Sequence, residues 1–335
     1  MTDCKKLTEQ ALRQAIGSRG PVFTPDKDGH WVKFDAEGLP QVGSVRPKRP
    51  LRDIFTPPVR EIARWKNHIS QPQLEPGKPD TQPGTIWGVR PCDARALQWL
   101  DEIFLAPPHV DIHYKARRDN LLLLGLACEP ADSCNCGLFD YGPDDPTGLD
   151  LMLHPVDDGF IAVVGSDKGA EFLRGIEGAV EHEPPALREG PKPAWWTGFP
   201  DPKSLMGAFE HKVWDELQAG CMNCGACTLY CPTCQCFTIV DELYKQQVRR
   251  LRVIDTCQHE AFTRMAGGHN PRTKFSSRLR QRILHKFSYI PERYDGKLGC
   301  TGCGRCIELC ALKRHVFADL DKIKRQISEE ASCGT

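Results

Sequence analysis

The sequence of 335 residues has no excess of charge of either sign, because 44 Lys and Arg are matched by 44 Asp and Glu. Proteins that bind nucleic acid usually carry a basic excess, so this balance predicts no nucleic-acid partner. Long apolar runs are lacking as well. The longest, Leu121 to Cys128, is far shorter than the roughly 20 residues that a membrane helix needs, so no membrane span is predicted.

Signals for export and for nucleotide binding are also lacking. The first residues, MTDCKKLTEQ, contain no apolar segment of the kind found in a signal peptide, so we expect a cytoplasmic protein. No G-x-G-x-x-G follows a β-prone segment, and no P-loop occurs. The chain therefore shows no motif for a dinucleotide or for ATP.

Cysteine, by contrast, is abundant: there are 17, and they are unevenly spread. Four lie between Cys92 and Cys136, and eleven lie between Cys221 and Cys310. Cys4 and Cys333 are close to the termini and are interpreted as bystanders. Because a cytoplasmic protein keeps its thiols reduced, clustered cysteines indicate bound metal rather than disulfides.

Hydrophobic patterning over residues 1–190 predicts an α/β domain. Thr85–Val89 and Leu121–Ala127 are typical of buried strands. An amphipathic helix is expected from about Ala94 to Phe104, with Asp93 as its N-cap. A hairpin is expected around Asp157-Asp158-Gly159.

A stretch rich in Pro, Glu and Gly, from His182 to about Lys203, predicts a linker before a second domain at 204–335. Leu205–Leu217 is helical in pattern. The expected fold class is α+β: an N-terminal α/β domain, then a helical, bacterial-type two-cluster ferredoxin domain with an insert at 232–299. The 68 residues of this insert exceed an ordinary ferredoxin connection, which predicts a further role such as subunit docking.

Two cysteine runs in the second domain share one spacing. Cys221-Met-Asn-Cys224-Gly-Ala-Cys227-Thr-Leu-Tyr-Cys231-Pro reads C-x2-C-x2-C-x3-C-P. The second run has the same spacing, with Ala311 in place of the proline; its cysteines are Cys300, Cys303, Cys306 and Cys310. This is the spacing of bacterial ferredoxins, in which three close thiolates hold one four-iron cluster and the fourth ligates the other.

The spacing predicts two crossed ligand sets. The first cluster is expected on Cys221, Cys224, Cys227 and Cys310. The second is expected on Cys300, Cys303, Cys306 and Cys231. A zinc-binding scaffold module is the alternative, although zinc sites usually combine two C-x2-C pairs into one set of four ligands.

A third four-iron cluster is predicted in the N-terminal domain. Cys92 follows one expected strand, and Cys128 follows the other. Carboxyl ends of neighbouring parallel strands lie side by side, and Cys134 and Cys136 follow in the same loop. The expected helix would also direct its positive end at an anionic cluster. A zinc site or a set of plain thiols is the alternative.

Several residues near these motifs have more than one interpretation. Cys234, Cys236 and Cys257 are either extra ligands, hydrogen-bond donors to a cluster, or small buried residues beside it. His269 is a ligand, a partner contact or a hydrogen-bonded loop residue. The basic stretch from Arg272 to Lys286 is a solvated helix face, a docking surface, or positive charge near a cluster.

With these motifs in view, the chain resembles the beta subunit of soluble NAD(P)-linked nickel–iron hydrogenases, also called sulfhydrogenases. It is also similar to the iron–sulfur electron-transfer subunit of anaerobic sulfite reductase. The resemblance covers nearly the whole chain, and its carriers are Gly88–Asp93, Cys128–Cys136, Cys231–Phe237, Asp255–Cys257, Ala266–Asn270, Arg280–Phe287 and Cys300–Cys306.

The resemblance implies a non-catalytic electron-transfer subunit. Its implied partners are the small and large subunits of a nickel–iron hydrogenase, together with a flavin-containing NAD(P)H-reductase subunit. The alternative implied by the second similarity is a sulfite reductase complex. The choice between NAD and NADP, and the direction of electron flow, depend on the partner subunits.

Overall fold

The computed structural model describes residues 3–34, 46–66 and 73–333. Within these ranges the strands, numbered in chain order, are β1 (Cys4–Thr8), β2 (Val22–Pro25), β3 (Trp31–Phe34), β4 (Val59–Lys66), β5 (Glu75–Pro76), β6 (Gly84–Val89), β7 (Leu121–Leu126), β8 (Leu151–Val156), β9 (Gly159–Val164), β10 (Val180–Glu181), β11 (Phe237–Tyr244) and β12 (Gln247–Ile254). The helices are α1 (Glu9–Gly17), α2 (Arg52–Phe55), α3 (Pro91–Phe104), α4 (Ile112–Asn120), α5 (Asp167–Arg174), α6 (Pro202–Gly207), α7 (Val213–Gln218), α8 (Ala226–Leu229), α9 (Phe275–Leu284), α10 (Ile290–Arg293), α11 (Arg305–Glu308) and α12 (Val316–Cys333).

The first unit, residues 1–57 and 75–191, is built on one mixed sheet. Its strand order is β10-β1-β9-β8-β7-β6-β2-β3. The central strands β2, β6, β7 and β8 run parallel, and the outer strands are antiparallel to their neighbours. Every residue of β6 and β7 is buried, as their continuous apolar sequences predict for strands covered on both faces.

Local sequence predicted four strands of this unit. β6 and β7 lie at the two predicted buried strands, and β8 and β9 form the predicted hairpin, with Val156 paired to Gly159 across Asp157-Asp158. Alternating residues of β8 and β9 contribute to the apolar core, which is closed by α1 through Leu12 and Ile16. The expectation of mixed helix and strand structure therefore agrees with this sheet and its helices.

One helix boundary was predicted wrongly. Helix α3 begins at Pro91, with Arg90 in extended conformation as its N-cap, and not at Asp93. Proline suits the first helical position, because its fixed φ matches the helix and the N–H it lacks has no intrahelical partner there. Asp93 instead lies in the first turn, fully buried, where its Oδ1 accepts the backbone N–H of Leu51 at 3.2 Å.

The second unit consists of residues 58–74 and 192–335. It contains a sheet in which β11, β12 and β4 pair antiparallel in that order. The expectation of a helical second domain beginning at residue 204 missed this sheet. β4 comes from a segment far upstream, and only long-range pairing assigns it to this unit.

The helix expected at Leu205–Leu217 is two helices, α6 and α7. The Asp201 carboxylate caps α6 by accepting the N–H of Ser204 at 2.8 Å, and α6 ends at Gly207, a weak helix former. His211 Nδ1 then accepts the N–H of Val213 at 3.0 Å, which starts α7. Side chains of the intervening turn therefore begin a new helix instead of continuing the first.

Helix α9 continues without a break into a π-helical turn, His285–Tyr289, and then into α10. Arg278, Arg282 and Lys286 are all buried on this continuous helix. The interpretation of the whole stretch as a solvated basic face was therefore wrong. Among the described residues, no helix is both long and apolar enough to cross a membrane.

Candidate iron–sulfur centres

The two cysteine runs fold in the same way. In each, a glycine with positive φ precedes a one-turn helix: Gly225, at φ 73°, precedes α8, and Gly304, at φ 75°, precedes α11. Only glycine adopts this backbone conformation at little cost. The third cysteine of each run, Cys227 or Cys306, lies in the one-turn helix, and the fourth lies just beyond it.

The two runs lie against each other. Helix α8 packs on α11. A Cβ placed on Gly220, next to the first run, would lie 3.8 Å from the Leu312 side chain, next to the second run. The end of the second run is thus close to the start of the first, as crossed ligation of Cys310 requires.

One pocket brings together cysteines of both runs. Among its lining residues are Cys231, Cys300, Cys303, Cys306, Arg282 and Lys286. The four cysteines are the set predicted for the second cluster, and Cys310 is not in the lining.

A buried lysine contacts this set. Lys286, 5% exposed, donates from Nζ to the Cys231 sulfur at 3.3 Å, to Thr233 Oγ1 at 2.8 Å and to the Gly299 carbonyl at 2.7 Å. All three hydrogens of the ammonium group are therefore directed at acceptors. Gly302 adds a backbone N–H, 3.4 Å from the Cys300 sulfur.

A buried arginine lies one turn earlier on the same helix. Arg282 is 6% exposed, lines the same pocket, and its Nε has no hydrogen-bond partner among the described residues. Burial opposes its charge, but the thiolates of Cys227 and Cys306 raise the pKa of Arg282 well above its usual value. An unpartnered buried donor in a cysteine-lined pocket fits an anionic group with many sulfur acceptors, as an iron–sulfur cluster is.

The thiols of this pocket are unequal. Burial raises the pKa of Cys300 and of Cys306 to about 12. A hydrogen bond from Cys234, assisted by Lys286, lowers the pKa of Cys231 well below its usual value although burial opposes this. Because thiolates are the ligands of iron, Cys231 is prepared for ligation and the other two require the positive charge of the metal.

The first run is covered by the segment that follows β12. Asn223 Nδ2 donates to the Gln258 carbonyl at 2.7 Å, and the hydroxyls of Thr228 and Thr256 form a short hydrogen bond. Burial raises the pKa of Cys227, and the thiols of Cys257 and Cys221 act in the same direction. Cys257 therefore lies beside the first run, a position that its sequence neighbourhood did not reveal.

Of the three cysteines of open role, Cys257 is buried, and Cys234 and Cys236 are half-buried. Cys234 hydrogen-bonds to Cys231, while Cys236 and Cys257 hydrogen-bond to each other, and this raises the pKa of Cys236 and lowers that of Cys257 to about 6. Their packing beside the ferredoxin motifs is what the interpretation as neighbouring thiols predicts. His269 lies exposed in a turn, where its carbonyl accepts the N–H of Met265 at 2.8 Å.

In the first unit, the four cysteines of the predicted third site follow the ends of two neighbouring strands. Cys92 follows β6 and Cys128 follows β7, and these two strands are parallel neighbours. Burial raises the pKa of Cys136 to about 12, and the thiols of Cys134 and Cys128 add to this. Burial lowers the pKa of Arg90, but the thiols of Cys128 and Cys92 act in the opposite direction, so both lie near its guanidinium.

Arginines surround these four cysteines. Arg90 donates from Nη1 to the carbonyls of Leu126 and Ala127 at 3.2 and 3.3 Å, and Arg188 donates to the carbonyl of Cys128 at 3.0 Å. The site is also tight, because a Cβ on Gly190 would lie 2.8 Å from the Cys136 sulfur. Positive charge around clustered thiols favours their ionised, metal-binding form.

Across the parts of the chain that the structure describes, no three His, Cys, Asp or Glu side chains are grouped closely enough to bind one metal ion together. In a four-iron cluster each thiolate ligates a different iron, so its cysteines surround the cluster and do not meet at one point. In the pocket between the two runs, the cysteines line the walls and do not meet at one point.

Positive charge near a cluster was one of the three interpretations of the basic stretch, but Arg282 and Lys286 were not singled out within it. Arg282 and Lys286 follow Leu279 and Ile283 at helical spacing, so that all four share one face of the helix. The apolar members of that face predict that it is buried, and the basic members must then meet anions or carbonyls. This periodicity was the available signal.

The fold and the site define an iron–sulfur protein, and residues 220–314 match the 4Fe-4S dicluster domain. A curated relative, the sulfhydrogenase 2 subunit beta of Pyrococcus furiosus, is 32% identical over 254 residues, which cover 71% of this chain and 73% of the relative. The chain belongs to the family of this sulfhydrogenase beta subunit. No solved structure matches the chain.

Proposed function

We propose that the chain is the electron-transfer subunit of a nickel–iron hydrogenase complex. The observation that carries the proposal is the pocket in which Cys231 joins Cys300, Cys303 and Cys306 beside two buried cations. A four-iron cluster is a one-electron carrier, and a chain with two of them close together suits stepwise electron transfer. Neither the sequence motifs nor the site suggests substrate chemistry in this chain.

The proposed cluster ligands are those predicted from the spacing. The first cluster would be held by Cys221, Cys224, Cys227 and Cys310, and the second by Cys300, Cys303, Cys306 and Cys231. The pocket composition supports the second set, and the proximity of Gly220 to Leu312 supports the crossing of Cys310 to the first. The close approach of Cys257 to Cys227 makes Cys257 a neighbour of the first cluster.

A third four-iron cluster is proposed on Cys92, Cys128, Cys134 and Cys136. Support comes from their mutual electrostatic influence and from the arginines around them. Helix α3 begins at Pro91, so its N-terminus, which carries partial positive charge, lies next to Cys92. Such a cluster would lengthen the path along which electrons enter or leave the chain.

The proposed partners are the small and large hydrogenase subunits, together with a flavin-containing NAD(P)H-reductase subunit. The name of the Pyrococcus furiosus relative, subunit beta of a sulfhydrogenase, supports an assembly with other subunits. Strand β11 supports it independently, because it exposes a row of large apolar side chains. Contiguous exposed apolar surface marks protein–protein contact sites.

The test is the composition of the native complex, purified without oxygen through a tag on this chain. We expect co-purified nickel, a flavin and broad visible absorbance from iron–sulfur clusters. Sirohaem in place of nickel would make the chain part of a sulfite reductase, which is the second candidate. A colourless complex that contains zinc in place of iron would refute electron transfer and leave the scaffold alternative.

A further inference from the structure

Two nearly identical cysteine runs would hold two nearly identical clusters unless their surroundings differ. The surroundings differ at the fourth cysteine of each run. The Cys231 sulfur is 3.3 Å from the ammonium nitrogen of Lys286 and 3.1 Å from Thr233 Oγ1. No hydrogen bond reaches the Cys310 sulfur from any residue in the described ranges. The nearest basic residue in sequence, Lys313, instead donates to the Glu308 carbonyl at 2.7 Å, on an exposed turn.

The helix geometry fixes Lys286 in this place. The π-helical turn pairs the N–H of Ile290 with the carbonyl of His285, and Pro291 has no N–H to offer the next carbonyl. The carbonyl of Lys286 is thereby left without a helical partner. It accepts the N–H of Gly299 at 2.9 Å, next to the first cysteine of the second run.

Close packing at Gly299 also holds the second run against the helix that carries Lys286. A Cβ on Gly299 would lie 2.6 Å from Ile290 Cδ1 and 3.1 Å from the Lys286 Cα. Only glycine therefore lets the second run approach the helix this closely. The ammonium group also donates to the Gly299 carbonyl at 2.7 Å, so backbone and side chain of Lys286 both contact this residue.

The electrostatic consequence follows from the crossed ligand sets, and so it rests on the proposed function. Cys231 belongs to the second cluster in that assignment, together with the other pocket cysteines. Reduction makes a cluster more negative, and a buried cation that donates to a ligand sulfur stabilises the reduced state. Lys286 has no equivalent beside Cys310 among the described residues.

We propose that Lys286 raises the reduction potential of the second cluster selectively, and so makes two clusters of the same ligation unequal. Arg282 is close enough to Cys227 of one run and to Cys306 of the other for its charge to act on both clusters. Lys286 thus influences the reduction potential of the cluster through the ligand sulfur of Cys231. It touches a ligand sulfur and takes no part in chemistry at a substrate.

The experiment compares midpoint potentials in redox titrations followed by electron paramagnetic resonance, with the full chain in its native complex. In Lys286→Met we expect one of the resolved one-electron steps to move to lower potential while the others stay unchanged. Lys286→Arg keeps the positive charge, so the midpoint potential of that step should return to the value of the unmodified chain. The matched control is Lys313→Met, which removes an exposed lysine beside the other run and should shift no step.

The step that moves is identified with ligand variants. Cys303→Ala should remove the second cluster, and the moving step should disappear with it, whereas Cys224→Ala should leave that step in place. A shift that survives Cys303→Ala, an equal shift of both ferredoxin-type clusters, or no shift at all would overturn the proposal.

Failure of cluster assembly is also decisive. Lys286→Gln keeps an N–H donor without the charge, and it should lower the same potential if Lys286→Met does not assemble. If Lys286→Met and Lys286→Gln both lack the second cluster while Lys286→Arg holds it, Lys286 serves assembly and not potential, and the proposal is wrong. If the unmodified chain itself lacks two four-iron clusters, it is the proposed function that fails.

Discussion

Individual cysteines in this chain have distinct environments despite identical motifs. Cys231 and Cys303 are buried, while Cys224 is exposed. Cys231 also accepts a hydrogen bond from a buried cation. Ligand roles therefore follow from where each sulfur lies and not from its position in the run alone.

Crossed ligation gives a prediction that distinguishes two single substitutions. Cys310→Ala should damage the cluster held by Cys221, Cys224 and Cys227, because the fourth cysteine of each run ligates the other cluster. Cys231→Ala should damage the cluster of the second run. Electron paramagnetic resonance of the reduced chain, with iron analysis, measures which signal is lost.

The matched control for this pair is Cys4→Ala, since Cys4 is buried in strand β1 of the first unit, belongs to neither run and should leave every signal unchanged. Loss of the second run's own signal in Cys310→Ala would contradict the crossing. So would coordinates of a loaded chain in which Cys310 and Cys306 bind the same cluster.

In each cysteine run, a glycine with positive φ precedes the one-turn helix, Gly225 before α8 and Gly304 before α11. Gly225→Ala should destabilise the loaded chain by about 1–3 kcal/mol, because a non-glycine residue is strained at positive φ. Its Cβ would also meet the Thr256 Cγ2 at 3.1 Å and the His259 Nε2 at 3.2 Å. Urea unfolding followed by loss of visible absorbance measures the effect.

Gly207→Ala is the control for that measurement. Gly207 ends α6, its added Cβ would meet nothing within 4 Å, and its φ is not positive. Alanine in a helix is favoured over glycine by roughly 0.5–1 kcal/mol, so this variant should be unchanged or slightly more stable. Equal destabilisation by both variants would show that the positive φ of Gly225 is not what matters.

Strand β11 is the element most suited to a partner. It is the edge of its sheet, and its exposed apolar residues include Ile239 and Leu243 on one face. Edge strands with exposed apolar residues are liable to pair with another chain unless they are covered. The predicted docking role of the insert at 232–299 is therefore most directly tested here.

The double variant Ile239→Asp/Leu243→Asp should weaken assembly of the complex. Interface residues that matter usually cost more than about 1 kcal/mol each when they are lost, so two of them correspond to a loss of affinity of at least about tenfold. Co-purification and titration of the partner subunits measure it. Leu187→Asp, at an exposed apolar position in the first unit, is the control, and equal binding by both variants would remove β11 from the interface.

For the molecule as a whole, total iron decides the number of clusters. If the first unit holds a third cluster, the fully loaded chain should contain about twelve irons with matching acid-labile sulfide, at four per cluster. Two clusters alone would give about eight.

The source of the additional iron is tested by Cys128→Ala and Cys136→Ala. Each should lower a count of about twelve to about eight while the ferredoxin-type signals remain, because each cluster is an independent set of four irons. A count of about eight in the unmodified chain, insensitive to both substitutions, would leave these cysteines as plain thiols.

The sequence by itself determined what depends on local spacing. The two cysteine runs, the buried strands β6 and β7 and the hairpin of β8 and β9 could all be predicted, because motif spacing and hydrophobic period are properties of short segments. The strands that precede Cys92 and Cys128 are parallel neighbours, as the sequence predicted, since the rule that such strands end at a common edge needs only the two strands.

Tertiary structure alone decided the pairings between distant segments. β4, at residues 59–66, joins β12 in the second unit, and no local pattern predicts a partner so far along the chain. The partners of the buried Arg282 and Lys286 were decided in the same way: a basic residue tolerates burial only where acceptors and thiolates from other segments surround it. Those acceptors, at Thr233 and Gly299, meet Lys286 only after the chain has folded, because long-range contacts bring them there.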